Sequence, residues 1–462
     1  MNLKSLLLTS ALLTCSGAAM AAEQAPKYIF YFIGDGMGPG AVMGTDTYLR
    51  LATDRTTPLL WETFPQASLQ TTYSYSSPVT DSAAAGTALA TGHKTRNNML
   101  GMGPDSVAVG NVADSLLTMG YGIALLTNVA ADDATPGAFY AHVPSRDDAY
   151  DIDCQAAESG VSFLAGSRIR GIKRNGKYSG IYEKFADNGW KVIRGVQNYD
   201  PSAPKVLLVN DQDTLSNNSG YAIDFPAERN LLRDYTEAAI QHMTTHSPER
   251  FFMMVESGNI DWAAHDNDAA TIIRETLDFE ETLGLAYDFY LAHPDETLII
   301  VTADHETGGM SVGRKSVGYN CYPKLIEGQN ISKAEFGELV DRMLKRQEPV
   351  TMEEMKQILT DRIGFYTLIP INEARQKRLD ETFERTFITR NDYFNDALYH
   401  RFPEFVEEVF DILNETSGFG FTTTKHSGNP VGVYSIGPGS ELLGAPMDNT
   451  DIPRLILKSA QR

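Results

Sequence analysis

Ser82 follows Asp81 at the head of Ser82-Ala83-Ala84-Ala85-Gly86-Thr87-Ala88-Leu89, a run of small residues. A serine hydroxyl is a weak nucleophile at neutral pH and needs an adjacent base, a depressed pKa or a metal before it attacks. The nearest histidine along the chain is His93, about three helical turns away, so no sequence neighbour supplies that base. Elsewhere the chain offers the parts of a metal-assisted reaction. Asp35 lies in Gly34-Asp35-Gly36-Met37-Gly38; Glu256, Asp261 and His265 lie between Val255 and Asp266; Asp304 and His305 follow Val301-Thr302-Ala303. Carboxylate with imidazole suits Zn²⁺, and oxygen ligands alone suit Mg²⁺. Each fragment also has an ordinary reading, as a turn, a helical i,i+4 pair or a helix cap. Their conjunction is what points to chemistry.

The elements that must position these residues are legible as apolar runs. Residues 27–33 read as a buried strand ending just before Asp35, 251–255 as one ending before Glu256, and 298–302 as one ending before Asp304. The same form recurs at 121–127, 204–209 and 432–436. Such runs, separated by helical stretches, predict an α/β fold: a three-layer sandwich with a largely parallel central sheet and helices on both faces. In open α/β sheets, sites form at the carboxyl ends of strands, where three of these segments deliver their carboxylates and imidazoles. Residues 313–425 differ in character. Ser332-Lys333-Ala334-Glu335 reads as a capping box, and Thr351-Met352-Glu353-Glu354 opens a second helix. We read this segment as a helical insertion, or cap, within one α/β domain spanning 22–462.

The first residues combine Lys4, an apolar run from Leu6 to Leu13 and Ala19-Met20-Ala21. This is the pattern of a secretory signal peptide over 1–21, cleaved after Ala21, and it implies a periplasmic or secreted protein. A lipoprotein at Cys15 is the less favoured alternative, and the run is too short for a membrane span. Of the remaining cysteines, Cys154 and Cys321, an oxidising compartment allows a disulfide, our working expectation, or two buried thiols. The net charge of −21 argues against a nucleic-acid-binding platform. It also requires that any anionic substrate meet cations at the site.

These residues carry a resemblance to the alkaline phosphatase family that covers most of the chain. Ile33-Gly34-Asp35-Gly36-Met37-Gly38 and Asp448-Asn449-Thr450-Asp451 mark its ends. Thr80-Asp81-Ser82-Ala83-Ala84 resembles the family's phosphorylated serine segment. Asp133-Ala134-Thr135-Pro136 with Ser145-Arg146 resembles the stretch that supplies a Mg²⁺ ligand and a phosphate-clamping arginine. Lys425-His426-Ser427-Gly428 resembles the late histidine segment.

Position by position, the resemblance implies two Zn²⁺ and one Mg²⁺ per chain. Asp261, His265 and His426 would hold one zinc, and Asp304, His305 and Asp35 the other. Asp35 would also bridge to Mg²⁺, completed by Thr135 and Glu256. Ser82 would be the nucleophile and Arg146 would hold two phosphate oxygens, with Asp133 near the Mg²⁺ waters. Some members of the family carry a basic residue directly after the zinc-binding aspartate; here Trp262 stands there, open to stacking on a substrate's organic part or to packing. Asp81 would tune Arg146 or cap the helix. The activity implied is phosphate monoester hydrolysis through a phosphoseryl intermediate and a zinc-bound water, by a chain of a family that is often homodimeric. Metal is one of the few ways to activate a serine without a base, and two zinc ions ~4 Å apart can flank an in-line displacement. The alternatives are a phosphodiesterase of the same superfamily and a non-catalytic metal- or phosphate-binding protein. The Cys- or Ser-x-Pro-x-Arg motif of sulfatases is absent around Ser82.

Overall fold

The computed structural model describes residues 25–210, 220–225, 230–391, 394–396 and 398–462. The expected signal peptide, including Cys15, lies outside the described residues. Ten strands form one sheet: β1 (Tyr28–Gly34), β2 (Gln66–Thr71), β3 (Gly122–Thr127), β4 (Phe163–Gly166), β5 (Lys191–Arg194), β6 (Val206–Val209), β7 (Phe251–Ser257), β8 (Thr297–Thr302), β9 (Val431–Ile436) and β10 (Met447–Asp448). Their order is β10-β2-β9-β8-β1-β7-β3-β4-β6-β5. From β8 to β5 every pairing is parallel, and β9 runs antiparallel to both β8 and β2. The expected largely parallel sheet is therefore present.

The central strand shows why. Along β1, Phe30 and Phe32 enter one apolar core while Ile29, Tyr31 and Ile33 enter a second on the opposite face. A strand buried on both faces is near-continuously hydrophobic, which is how the sequence reads there. Register then does the positioning. Ile33 pairs with Glu256 of β7 and with Thr302 of β8, and Thr127 of β3 also faces Glu256. The loops after β1, β7 and β8 consequently leave the sheet at one level.

The helices that matter for the site are α1 (Ser82–Thr91), α2 (Ala134–Gly137) and α3 (Asn259–His265). Between residues 313 and 425 lie α4 (Lys333–Leu344), α5 (Met352–Ile363), α6 (Glu373–Phe383) and α7 (Glu404–Ser417). Ser332 and Thr351 cap α4 and α5 by accepting from the Glu335 and Glu354 amides. These helices gather a third apolar cluster around Phe336, Met355, Leu359, Phe405 and Val409. Lys333, 3% exposed, ties them to the end of α3, with its ammonium donating to the Asp266 carbonyl (2.9 Å) and pairing with Glu407 (3.0 Å).

The expected disulfide does not form: Cys154 and Cys321 are both free. Cys154 packs against the core on one face of the sheet and Cys321 against the core on the other. The Cys321 thiol instead donates to the Ser417 carbonyl at 3.4 Å. Among the described residues no helix is long and apolar enough to cross a membrane.

Candidate active site

The carboxyl edge of the sheet brings the strand-end residues together. Asp35 enters by way of Gly36, whose φ is +69° and where a Cβ would lie 2.7 Å from the Asp261 Cα, so only glycine lets this loop pass the start of α3. The Gly36 amide donates to Asp304 Oδ1 (3.1 Å) and so joins the loops after β1 and β8. A two-residue ladder pairs Thr307 with His426, bringing the late histidine segment beside His305.

Among the described residues two groups of potential ligand atoms result: Asp35, Asp304 and His305; and Asp261, His305 and His426. Within each group the atoms lie within 4.8 Å of one another. His305 stands between them, with Nε2 at 3.4 Å from Asp35 Oδ1 and 3.1 Å from Asp304 Oδ2. His265 adjoins the second group, its Nε2 at 3.1 Å from His426 Nε2 and 3.3 Å from Asp261 Oδ2. Glu256 lies beside Thr135 and within the field of Asp133 and Asp304. All of the sequence-predicted ligands thus share one site.

The donor set fits divalent cations on three observations. First, Nδ1 of His265 lies 2.6 Å from the Thr424 carbonyl and Nδ1 of His426 lies 2.8 Å from the Thr80 carbonyl, contacts that need an Nδ1–H. The Nε2 lone pairs therefore face each other at 3.1 Å, a repulsive contact unless a cation or a proton sits between them. Second, Asp35 Oδ1, Thr135 Oγ1, Glu256 Oε2, Asp261 Oδ2 and Asp304 Oδ2 are buried without a hydrogen-bond partner. Third, the carboxylates crowd one another. Burial, with Asp304 and Asp261 adding repulsion, holds Asp35 well above the usual carboxylate range. Burial also pushes Glu256 up to about 8 and, with Asp261, pushes Asp304 up to about 7. Asp261 is the exception: burial acts upward there too, but His265, His426 and His305 outweigh it and hold the group low. Such crowding favours protonation unless cations bind, and bound cations would displace the protons.

Ser82 is the first residue of α1, all ten residues of which are buried. The small side chains have a steric cause, since a Cβ on Gly86 would come within 3.1 Å of the Thr135 Cα. The Ser82 hydroxyl lies 3.2 Å from His305 Nε2, so its spatial histidine is 223 residues away rather than His93. Asp81 is the cap: Oδ1 accepts from the Ala84 amide (2.9 Å) and Oδ2 from the Asn98 amide (2.8 Å). Its Oδ2 also lies 3.9 Å from Arg146 Nη1, so the cap stands beside the guanidinium.

Arg146 donates from Nη2 to Asp133 Oδ1 at 2.9 Å. Behind it stands Arg170, which donates to the Arg146 carbonyl (3.2 Å), pairs with Asp132 and lies 3.8 Å from Asp133. Burial disfavours the Asp133 charge, but Arg170 and Arg146 outweigh it and keep its pKa below the ordinary value. Trp262 is only 5% exposed, because the ring of Tyr399 stacks on it with centroids 4.1 Å apart and planes 16° apart. Arg170 and Tyr399 are among the site residues that the sequence left unmarked. Neither belongs to a local pattern with a chemical meaning, and no sequence signal would have found them.

Comparison with known proteins gives the family. The alkaline phosphatase family profile matches residues 26–174 and 215–462. Alkaline phosphatase 3 of Bacillus subtilis (strain 168) is 29% identical over 458 residues, covering 94% of this chain and 89% of that protein. In fold, the chain is similar to the cold-active alkaline phosphatase of a psychrophilic Shewanella sp., with a TM-score of 0.78, 24% identity and coverage of 94% of this chain and 100% of that one. It is also similar to a variant of the TAB5 alkaline phosphatase described with Mg bound (TM-score 0.65, 22% identity, 95% and 98% coverage). With most of its length matched, the chain belongs to the alkaline phosphatase family of phosphomonoester hydrolases.

Proposed function

We propose that the chain hydrolyses phosphate monoesters in two steps, with Ser82 accepting the phosphoryl group and water then removing it. The observation that carries this reading is the position of the Ser82 hydroxyl, 3.2 Å from the histidine shared by both ligand groups. Asp261, His265 and His426 would hold one Zn²⁺, Asp35, Asp304 and His305 a second, and Asp35, Glu256 and Thr135 a Mg²⁺. When bound, these ions would lower the pKa of the serine hydroxyl and of the attacking water and would offset the charge of the substrate.

The chain's own residues do the rest. The start of α1 directs free amides and the positive end of a helix dipole toward the phosphoryl oxygens. Asp133 pairs with Nη2 and Asp81 approaches Nη1 of the Arg146 guanidinium, which fixes its orientation, and its remaining N–H groups would hold two phosphate oxygens. Arg146 adds a fixed cation in a protein of net charge −21, and with the metals it makes the site attractive to a dianion. We further read residues 313–425 as a cap over this edge, the leader as a secretion signal cleaved after Ala21, and the working form as a homodimer.

The test compares turnover of an aryl monoester, a diester and a sulfate ester by one preparation whose metals are counted. Preference for the monoester, lost on chelation and restored by Zn²⁺ with Mg²⁺, is expected. Preference for the diester, or turnover indifferent to chelation, would overturn the reading.

A further inference from the structure

Beside the metal-ligand cluster, Trp262 is nearly covered, and the ring that stacks on it, Tyr399, is half-buried. Its place is fixed from three sides. One face stacks on Trp262 at 4.1 Å. The ring also meets His265 edge-on, at 5.5 Å and 82°. The next residue, His400, pairs with Asp266 at 2.9 Å, and Asp266 directly follows His265. Tyr399 and His400 thus dock as a unit on the last turn of α3, which carries two of the candidate ligands.

The groups whose charges act on the Tyr399 hydroxyl are Asp261, Arg146, Asp133 and Asp35. The side chain therefore stands in the neighbourhood of both the candidate zinc ligands and the phosphate clamp.

We propose that Tyr399 is a specificity-determining residue: backed by Trp262, it forms an aromatic wall that holds an aryl leaving group beside the phosphate position. An aromatic group offers this wall a π face or edge, and an alkyl group does not. The inference rests on the phosphomonoesterase reading, and its test separates the two.

The probes are phenylphosphonate and methylphosphonate, non-hydrolysable anions bound at equilibrium to the Zn²⁺- and Mg²⁺-loaded protein and measured by calorimetry. The native protein is expected to bind phenylphosphonate about fivefold or more tighter. Tyr399→Leu, which keeps bulk on Trp262, should bring that ratio close to the value set by hydrophobic transfer alone, and Tyr399→Phe should retain it. An unchanged ratio in Tyr399→Leu, or equal loss of both affinities, overturns the proposal, because a merely structural ring would not move the ratio. If neither phosphonate nor inorganic phosphate binds the loaded native protein, the phosphatase reading fails first.

Discussion

The carboxyl edge of the sheet and the helical segment beyond residue 313 are built on different principles. At the sheet edge, strands buried on both faces lock in register, and the residues that follow them cannot avoid one another: Asp35, Glu256 and Asp304 are brought to one level by β1, β7 and β8. The helical segment has its own apolar cluster and reaches the site through a few polar and aromatic contacts, chiefly Lys333, His400 and Tyr399. The strands thereby set the level of these carboxylates, while the helical segment bears on the site chiefly through its contacts with α3.

The widest separation of the two regions should come from Ser82→Ala. With its metal content equal to that of the native protein, this variant is expected to lose at least about a thousandfold in aryl phosphate turnover, while no change in the helical segment approaches that loss. Next, Arg146→Ala should weaken inorganic phosphate binding by about 10- to 100-fold, the value of a charge-assisted pair of hydrogen bonds. Isothermal titration measures it, and unchanged affinity would remove Arg146 from the clamp. On the other side, Lys333→Met removes the buried ammonium between Asp266 and Glu407 and should cost about 1–3 kcal/mol of stability, read by denaturant unfolding. Its turnover of methyl phosphate should stay within a few-fold of native, and a loss as large as that of Ser82→Ala would erase the distinction between the regions.

The smallest effect concerns pH. In the metal-free protein, Glu256 at about 8 and Asp304 at about 7 bind protons that the unfolded chain has already released. Their stabilisation is complete below the unfolded carboxylate pKa and is lost as pH rises through those values. The depressed His305 and His426 act in the opposite sense, but only up to the unfolded histidine pKa near 6.5. From about pH 6.5 to 8 the melting temperature of the metal-free protein should therefore fall by a few degrees, while the loaded protein should stay level. A rise over this window would contradict the crowding of carboxylates at the edge.

The same contrast explains what could be read in the sequence. β1, β7 and β8 were legible because burial on both faces writes an unbroken apolar run, and the residues after them carry types that suit metals. β2, with the sequence Gln66-Ala67-Ser68-Leu69-Gln70-Thr71 near one end of the sheet, and β5 at the other edge carry no such run. The Cys154–Cys321 expectation failed because compartment and count say nothing of which face of a sheet each thiol occupies. The capping residues of α4 and α5 were readable from local pattern. By contrast, Tyr399 acts on α3 across more than a hundred residues, and Arg170 braces the Arg146 loop from a separate turn. Only tertiary contact gives either its meaning.

The central claim is that Ser82 itself carries the phosphoryl group. It is tested most directly by mixing excess metal-loaded protein with an aryl phosphate, quenching within one turnover and locating phosphate by peptide mass. The account predicts phosphate on the peptide containing Ser82 and none on Ser82→Ala. Rapid hydrolysis with no covalent phosphate at any quench time, or phosphate on a different residue, would contradict it.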